Sequence, residues 1–158
     1  MLYRALPLFV LVALSAAAQG KYSGPRPPKP DVPYIKHADS LVATEASDAK
    51  EEKQKKEDIL YIISGASASA KTPLASPIFL LQTDKLNADR LGLYKLDVKN
   101  GRREILFGPR KQPRSFRMEV TRIAPDNLYR LEVSESLEPG EYSLSPEGSN
   151  QVFCFAVY

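Results

Sequence analysis

The feature that most restricts the fold of this chain is a rhythm of short apolar runs and turn residues from Ile59 to Tyr158. Several runs alternate with period two, which is typical of strands buried on one face. The predicted strands are 58–64, 77–82, 93–99, 103–107, 116–122, 128–134, 141–145 and 151–158, and the short 84–91 segment is the only predicted helix. Because about eight strands follow one another in about 100 residues, the sequence predicts an all-β domain, a single antiparallel β-sandwich.

One segment gives this prediction more detail. Residues 137–142, Leu-Glu-Pro-Gly-Glu-Tyr, resemble the corner before the penultimate strand of immunoglobulin-like and fibronectin type III sandwiches. The resemblance implies that Pro139 and Gly140 make the turn, and that Tyr142 buries its ring and returns its hydroxyl to the corner backbone. Leu144 stands where antibody domains have a bridging cysteine, and the chain has no tryptophan. The segment is therefore similar to disulfide-free sandwiches of secreted bacterial proteins, which implies a fold and not a function.

The first eighteen residues have the layout of a secretory signal peptide. A short basic start, 1–4, precedes an apolar run, 5–14, and the small residues 16–18 stand before the expected cleavage point. An apolar run of about 10 residues is too short to cross a bilayer as a helix, which takes about 20. We therefore expect residues 1–18 to direct export to the periplasm or the cell exterior, and we expect no membrane span.

Between the signal peptide and the sandwich, residues 19–56 are expected to be a largely disordered arm. Five prolines fall within 25–33, and proline removes backbone donors and favours an extended chain. The stretch 45–58 is mostly Ala, Glu, Lys and Asp, so a helix there would have no apolar face to bury. The sequence predicts a spacer and a solvated linker before a sandwich at 57–158. Two alternatives stay open. In one, residues 25–30 are a recognition segment for an aromatic groove. In the other, the apolar residues of 32–42 fold back on the sandwich as an added strand.

The sequence offers no recognisable catalytic or metal site. Ser67 lies in a segment close to a nucleophile elbow, but Ser69 stands where a second glycine is needed. The only histidine, His37, lies in the predicted arm, and one histidine with one cysteine does not make a zinc site. Cys154 cannot form a disulfide within the chain and stands in an apolar run, so a buried, inert thiol is expected. We predict no catalytic residue, no metal and no cofactor.

A basic cluster is the one predicted interaction surface. Its arginines suit phosphate or carboxylate partners, because the guanidinium group donates two parallel hydrogen bonds. The alternative is that these charges keep an edge strand and its loop soluble. A net charge of +3 and export from the cell both disfavour nucleic acid as a partner. The residues of the cluster are Arg102, Arg103, Arg110, Lys111, Arg114 and Arg117.

Two functions from different classes follow from these patterns. The preferred one is a secreted or periplasmic, non-catalytic binding module that engages an anionic envelope component or a protein partner. The alternative is a small extracytoplasmic enzyme that acts on an envelope polymer through carboxylates or Ser67. The sequence leaves the ligand, the partner and the oligomeric state open.

Overall fold

The computed structural model describes residues 21–158, so the predicted signal peptide, 1–18, lies outside the described residues. Within 21–158 the protein is all-β, with thirteen strands and no α-helix. The strands are β1 (Tyr34–His37), β2 (Ser40–Ala43), β3 (Glu45–Asp48), β4 (Lys50–Lys53), β5 (Ile59–Ser64), β6 (Lys71–Thr72), β7 (Ile78–Gln82), β8 (Leu91–Lys99), β9 (Arg102–Phe107), β10 (Met118–Ala124), β11 (Leu128–Val133), β12 (Gly140–Pro146) and β13 (Gln151–Val157).

The strands form two sheets. An open sheet of five strands has the order β10-β11-β7-β1-β2. A second sheet has the order β3-β13-β12-β8-β9-β5-β4, with β6 added beside β13. Every pairing is antiparallel except that of β6 with β13. The predicted all-β class, with two antiparallel sheets, is confirmed.

The second sheet closes on itself and is called the curled sheet below. Its two end strands, β3 and β4, are consecutive in the chain and are separated only by Ala49. The amide of Ala49 donates to the carbonyl of Asn150 at 2.8 Å, which holds this junction beside the start of β13. Strand β8 pairs with β12 along 91–96 but with β9 only along 97–99. The curled sheet is therefore continuous except where β8 and β9 diverge.

Strands β12 and β13 are buried on both faces. One face of each contributes large side chains, such as Tyr142, Phe153 and Phe155, to a sandwich core between the two sheets. The other face turns toward the inside of the curled sheet, where Val152 and Cys154 belong to a second cluster. Burial on both faces explains why the C-terminal strand is a continuous apolar run with no alternation of polarity.

The corner before β12 is held by the side chain of Tyr142. Pro139 makes a bend immediately before Gly140 begins β12. The hydroxyl of Tyr142 donates to the carbonyl of Glu138 at 2.7 Å, and the ring is completely buried. The ring lies edge-on to Phe116 at 5.7 Å between centroids, and burial raises the pKa of the hydroxyl. Tyr142 thus ties the corner to the sandwich core.

The prediction of a largely disordered arm at 19–56 is wrong for the part that the structure describes. β1 pairs with both β2 and β7, so the open alternative, in which 32–42 adds to the sandwich, is confirmed. β3 and β4 replace the solvated linker predicted at 45–58, and they pair with β13 and β5. The polar composition of this segment does not predict strands, because the strands that pair with it lie far away in sequence.

The proline-rich residues 25–33 are also held by specific contacts. The carboxylate of Asp31 accepts hydrogen bonds from the amides of Asp84, Lys85 and Leu86 at 2.9–3.1 Å. Partial burial alone would raise the pKa of Asp31, but the three amides lower it below its usual range. The ordered domain therefore begins well before residue 57.

The eight strands predicted after residue 57 are all present, with ends that shift by up to two residues. The predicted helix at 84–91 is limited to a single 3-10 turn at Ala88–Arg90, capped by the side chain of Asn87. At the β8–β9 hairpin, Asn100 and Gly101 have φ angles of +52° and +72°, as a tight turn of this kind requires. Local turn signals therefore predict the connections of this region well.

Candidate functional site

The curled sheet encloses a cavity of about 480 Å³, called the inner cavity below. The exposed part of its lining is the turn 147–150 together with Arg90, which therefore surround the opening. Alternation along each strand decides which side chains face the inner cavity and which face the sandwich core. The wall residues that matter for its chemistry are Ala49, Tyr61, Ile63, Gly92, Tyr94, Ile105, Phe107, Ser143, Ser145 and Val152.

Three aromatic rings form one side of the inner cavity. The ring of Phe107 lies edge-on to Tyr61 at 5.6 Å and to Tyr94 at 5.3 Å between centroids. Tyr94 and Phe107 face each other across the gap where β8 and β9 diverge. Burial, together with the nearby carboxylate of Glu51, raises the pKa of Tyr61, so its hydroxyl is neutral at physiological pH. Apart from the carboxylate of Glu51 near Tyr61, this side of the cavity is therefore aromatic and uncharged.

Gly92 gives the ring of Tyr94 its place in the wall. A Cβ atom at position 92 would lie 2.6–2.9 Å from three atoms of the Tyr94 ring and hydroxyl. Real Cβ atoms do not approach other atoms so closely, so the ring lies flat over the strand only because residue 92 is glycine.

A pair of serine hydroxyls forms the opposite side. Ser143 and Ser145 lie two residues apart on β12, so their side chains point the same way. Their hydroxyl oxygens are 3.0 Å apart, within hydrogen-bond distance, and Ser143 is only 1% exposed. Each hydroxyl has one hydrogen to donate, and the bond between them uses only one of the two. Among the described residues, the second hydrogen has no acceptor and is available to a ligand.

Small and apolar side chains close the floor of the inner cavity. They form one buried cluster: Ala49, Ile63, Ala68, Leu96, Val152 and Cys154. The cysteine is free and completely buried, which confirms the prediction of a buried thiol. Burial raises the pKa of Cys154 to about 12, so the thiol stays protonated and unreactive at neutral pH.

Next to this floor lies a buried ion pair. The guanidinium Nη2 of Arg103 donates to Oε1 of Glu45 and to the carbonyl of Ser64, both at 2.6 Å. The Nε of Arg103 donates to the carbonyl of Gly65 at 2.9 Å, and the residue is only 1% exposed. The assignment of Arg103 to an interaction surface is therefore wrong, because its charge is used inside the fold.

The loop 65–70 closes the same end of the curled sheet. The amide of Ala68 donates to Glu141 at 2.9 Å, and the amide of Ser69 donates to Glu45 at 2.7 Å. Ser67, immediately before Ala68, is exposed, and its hydroxyl makes no hydrogen bond to any residue from 21 to 158. His37, the residue that could serve as its base, instead contacts the hydroxyl of Thr72 at 2.9 Å. The structure therefore does not bring together the serine and the histidine that sequence analysis considered.

The structure divides the remaining basic residues. Arg102 pairs with Glu104 at 3.2 Å, and Arg114 pairs with Glu135 while it lies over the ring of Phe116. The exposed residues Arg110, Lys111 and Arg117 form no ion pair with any residue of 21–158.

Position along β9 also separates the cluster. Arg102 begins this strand, whereas Arg110 follows its far end, and a strand rises about 3.3 Å per residue. The six basic residues are therefore not one surface.

The residues of the inner cavity carry a signal that sequence analysis missed. Small side chains recur where an ordinary core would have large ones, at Ala49, Gly92, Ser143 and Ser145. Ala49 and Gly92 lie far apart in the sequence. Ser143 and Ser145 belong to β12, whose other face is apolar and buried in the sandwich core. Only the closure of the curled sheet brings them to one space.

Two further findings concern residues 21–158. No three side chains of His, Cys, Asp or Glu in this range lie together in a way that could hold a metal ion. No helix of this range has the length and apolar character needed to span a membrane.

Comparison of the chain with protein-family models, with curated proteins and with solved structures found no match.

Proposed function

We propose that the protein is an exported, non-catalytic binding module that holds a small ligand in the inner cavity. The observation that carries this proposal is the cavity itself, with a volume of about 480 Å³. Sites for small molecules have volumes of about 300–1,000 Å³ and combine mostly apolar walls with a few polar groups. The three aromatic rings and the serine pair give the inner cavity that composition.

The small side chains that keep this space open support a binding role. Protein interiors are close-packed, and each missing contact around a void reduces stability. Larger side chains at Ala49 or Ser145 would fill the inner cavity, whereas the small ones keep it open. A ligand that restores the lost contacts would stabilise the folded state in proportion to its affinity and concentration.

Export and a relation to immunoglobulin-like sandwiches are further parts of this proposal. Export rests on the layout of residues 1–18, and the relation to immunoglobulin-like sandwiches rests on the Tyr142 corner. Contact with an acidic protein or an anionic envelope component is supported only by the exposed Arg110, Lys111 and Arg117. This second function needs no cavity, so it can be tested separately by substituting those three residues.

The test of the proposed function uses N-phenyl-1-naphthylamine, an uncharged probe that becomes fluorescent in apolar surroundings. We expect saturable binding of about one probe per molecule of the purified protein. Ser145→Phe places a ring inside the inner cavity and should weaken binding by at least about tenfold. Ser145→Thr keeps the hydroxyl and most of the space, so it is the matched control and should bind like the wild type.

Circular dichroism of the three proteins checks that each is folded. The proposed function is contradicted if the wild type shows no saturable binding, or if Ser145→Phe binds the probe as tightly as Ser145→Thr.

A further inference from the structure

The chemistry of the wall specifies the class of ligand, and this inference rests on the proposed function. We infer that the inner cavity takes a neutral aromatic compound that carries one hydroxyl or carbonyl oxygen. The rings of Tyr61, Tyr94 and Phe107 would contact its aromatic part, and the hydroxyl pair of Ser143 and Ser145 would contact its oxygen.

The distribution of charge makes the ligand neutral. The only Asp, Glu, Lys or Arg side chains of the lining are Arg90 and Glu147, which pair with each other at 3.8 Å around the opening. Their side chains are 69% and 71% exposed, so both point largely to solvent. The nearest buried guanidinium, that of Arg103, is not part of the lining, and its charge is paired with Glu45. Its Nε and Nη2 donate to Glu45 and two backbone carbonyls, and only its buried Nη1 has no partner among residues 21–158. A charged group inside the inner cavity would lose its hydration without gaining a partner of opposite sign.

The arrangement of the rings favours an aromatic ligand over an aliphatic one of the same size. Aromatic rings attract one another when they stack with an offset or meet edge to face, with centroids about 4.5–7 Å apart. Phe107 already makes two edge-to-face contacts, with Tyr61 and Tyr94, and these hold the three rings on one wall. A flat ring that enters the cavity can extend this cluster, whereas a saturated ring gains only the burial of its surface.

The serine pair explains why the inferred ligand carries only one oxygen. Ser143 and Ser145 together have two hydrogens to donate, and one of them is used between the two residues. The remaining hydrogen can bond one acceptor, which a phenol or a carbonyl provides. A sugar would bring many hydroxyl groups into a wall that offers few partners for them, so most would lose their hydrogen bonds to water.

The test compares four compounds of similar size by calorimetric titration of the purified protein. They are 2-naphthol, naphthalene, decahydro-2-naphthol and 2-naphthoate. We expect 2-naphthol to bind most tightly and the charged 2-naphthoate to bind at least about a hundredfold more weakly. Naphthalene lacks the oxygen and decahydro-2-naphthol lacks the aromatic rings, so each should bind about fivefold more weakly than 2-naphthol.

A single substitution then tests whether the serine pair contacts the oxygen of the ligand. Ser143→Ala removes one hydroxyl of the pair and should lower the affinity for 2-naphthol about fivefold, while it leaves the affinity for naphthalene unchanged. Ser115→Ala, in an exposed loop, is the matched control and should change neither affinity.

The outcomes separate this inference from the proposed function on which it rests. Equal binding of 2-naphthol and decahydro-2-naphthol would overturn the aromatic class, and tighter binding of 2-naphthoate would overturn neutrality. Either result would leave a ligand in the cavity and the proposed function intact. If none of the four compounds binds while N-phenyl-1-naphthylamine does, the inferred class is wrong. If no compound binds at all, the proposed function is wrong as well.

Discussion

The two interiors of this molecule share two strands and differ in how they are filled. β12 and β13 contribute Tyr142, Phe153 and Phe155 to the sandwich core, where all three side chains are completely buried against their neighbours. The opposite faces of the same strands contribute Ser143 and Val152 to the inner cavity, which has a free volume of about 480 Å³. Because alternate residues of a strand face opposite ways, neighbours in the sequence belong to different interiors. The comparison teaches that burial alone does not indicate what a residue contributes to stability.

The largest expected effect contrasts two adjacent residues of β13. Phe153→Ala removes a completely buried ring from the sandwich core and should lower the free energy of unfolding by about 3–5 kcal/mol. Val152→Ala removes two carbons beside the inner cavity, where fewer protein atoms contact them, and we expect a loss of about 1 kcal/mol. Urea unfolding followed by circular dichroism measures both values. Similar losses at the two positions would contradict the distinction between a filled and an open interior.

Much of the sandwich core could be predicted from the sequence, because its signals are local. The alternation in 128–134 and the turn at Asn100-Gly101 identify strands and a hairpin without knowledge of distant residues. The position of Tyr142 likewise follows from six consecutive residues of the corner. The predicted burial of Cys154 follows from the apolar run around it.

The curled sheet and its cavity could not be predicted in this way. The segment 45–53 has no large apolar residue, and its pairing with β13 and β5 depends on strands far away in sequence. Alternation predicts that Ser143 and Ser145 face one side of β12, but nothing local to β12 indicates that this side lines a cavity. The burial of Arg103 could not be predicted for the same reason, since its partner Glu45 lies in the segment that was expected to be a linker.

The ion pair that closes the curled sheet gives a second, smaller effect. Arg103→Met leaves the carboxylate of Glu45 and two backbone carbonyls without their partner, and should lower the free energy of unfolding by about 3 kcal/mol. Arg110→Met removes an exposed charge of the same predicted cluster and should change it by less than about 0.5 kcal/mol. Urea unfolding at neutral pH separates the two variants, and equal values would show that Arg103 is not part of the fold.

The same pair makes a prediction for acid. Partial burial alone would raise the pKa of Glu45, but the hydrogen bond from Arg103 lowers it below the ordinary value of 4.5. A lowered pKa in the folded state means that the ionised carboxylate stabilises the protein above pH 4.5, and that this contribution is lost as the pH falls through the lowered pKa. The stability difference between the wild type and Arg103→Met should therefore shrink in acid. A difference that stays constant down to about pH 2 would assign the loss to packing alone.

The smallest effect compares two tyrosines that differ in their surroundings. Tyr142→Phe removes the hydrogen bond to Glu138 from the corner and should cost about 1 kcal/mol of unfolding free energy, because the carbonyl loses its partner. Tyr94 lies in the wall of the inner cavity over Gly92, and its hydroxyl has no acceptor among the described residues, so Tyr94→Phe should change stability by less than about 0.5 kcal/mol. Both variants keep the ring, so a difference between them in urea unfolding isolates the hydroxyl group. If Tyr94→Phe proves the more destabilising, the hydroxyl of Tyr94 makes a stabilising contact in the wall of the inner cavity, and the expected difference between the two tyrosines is wrong.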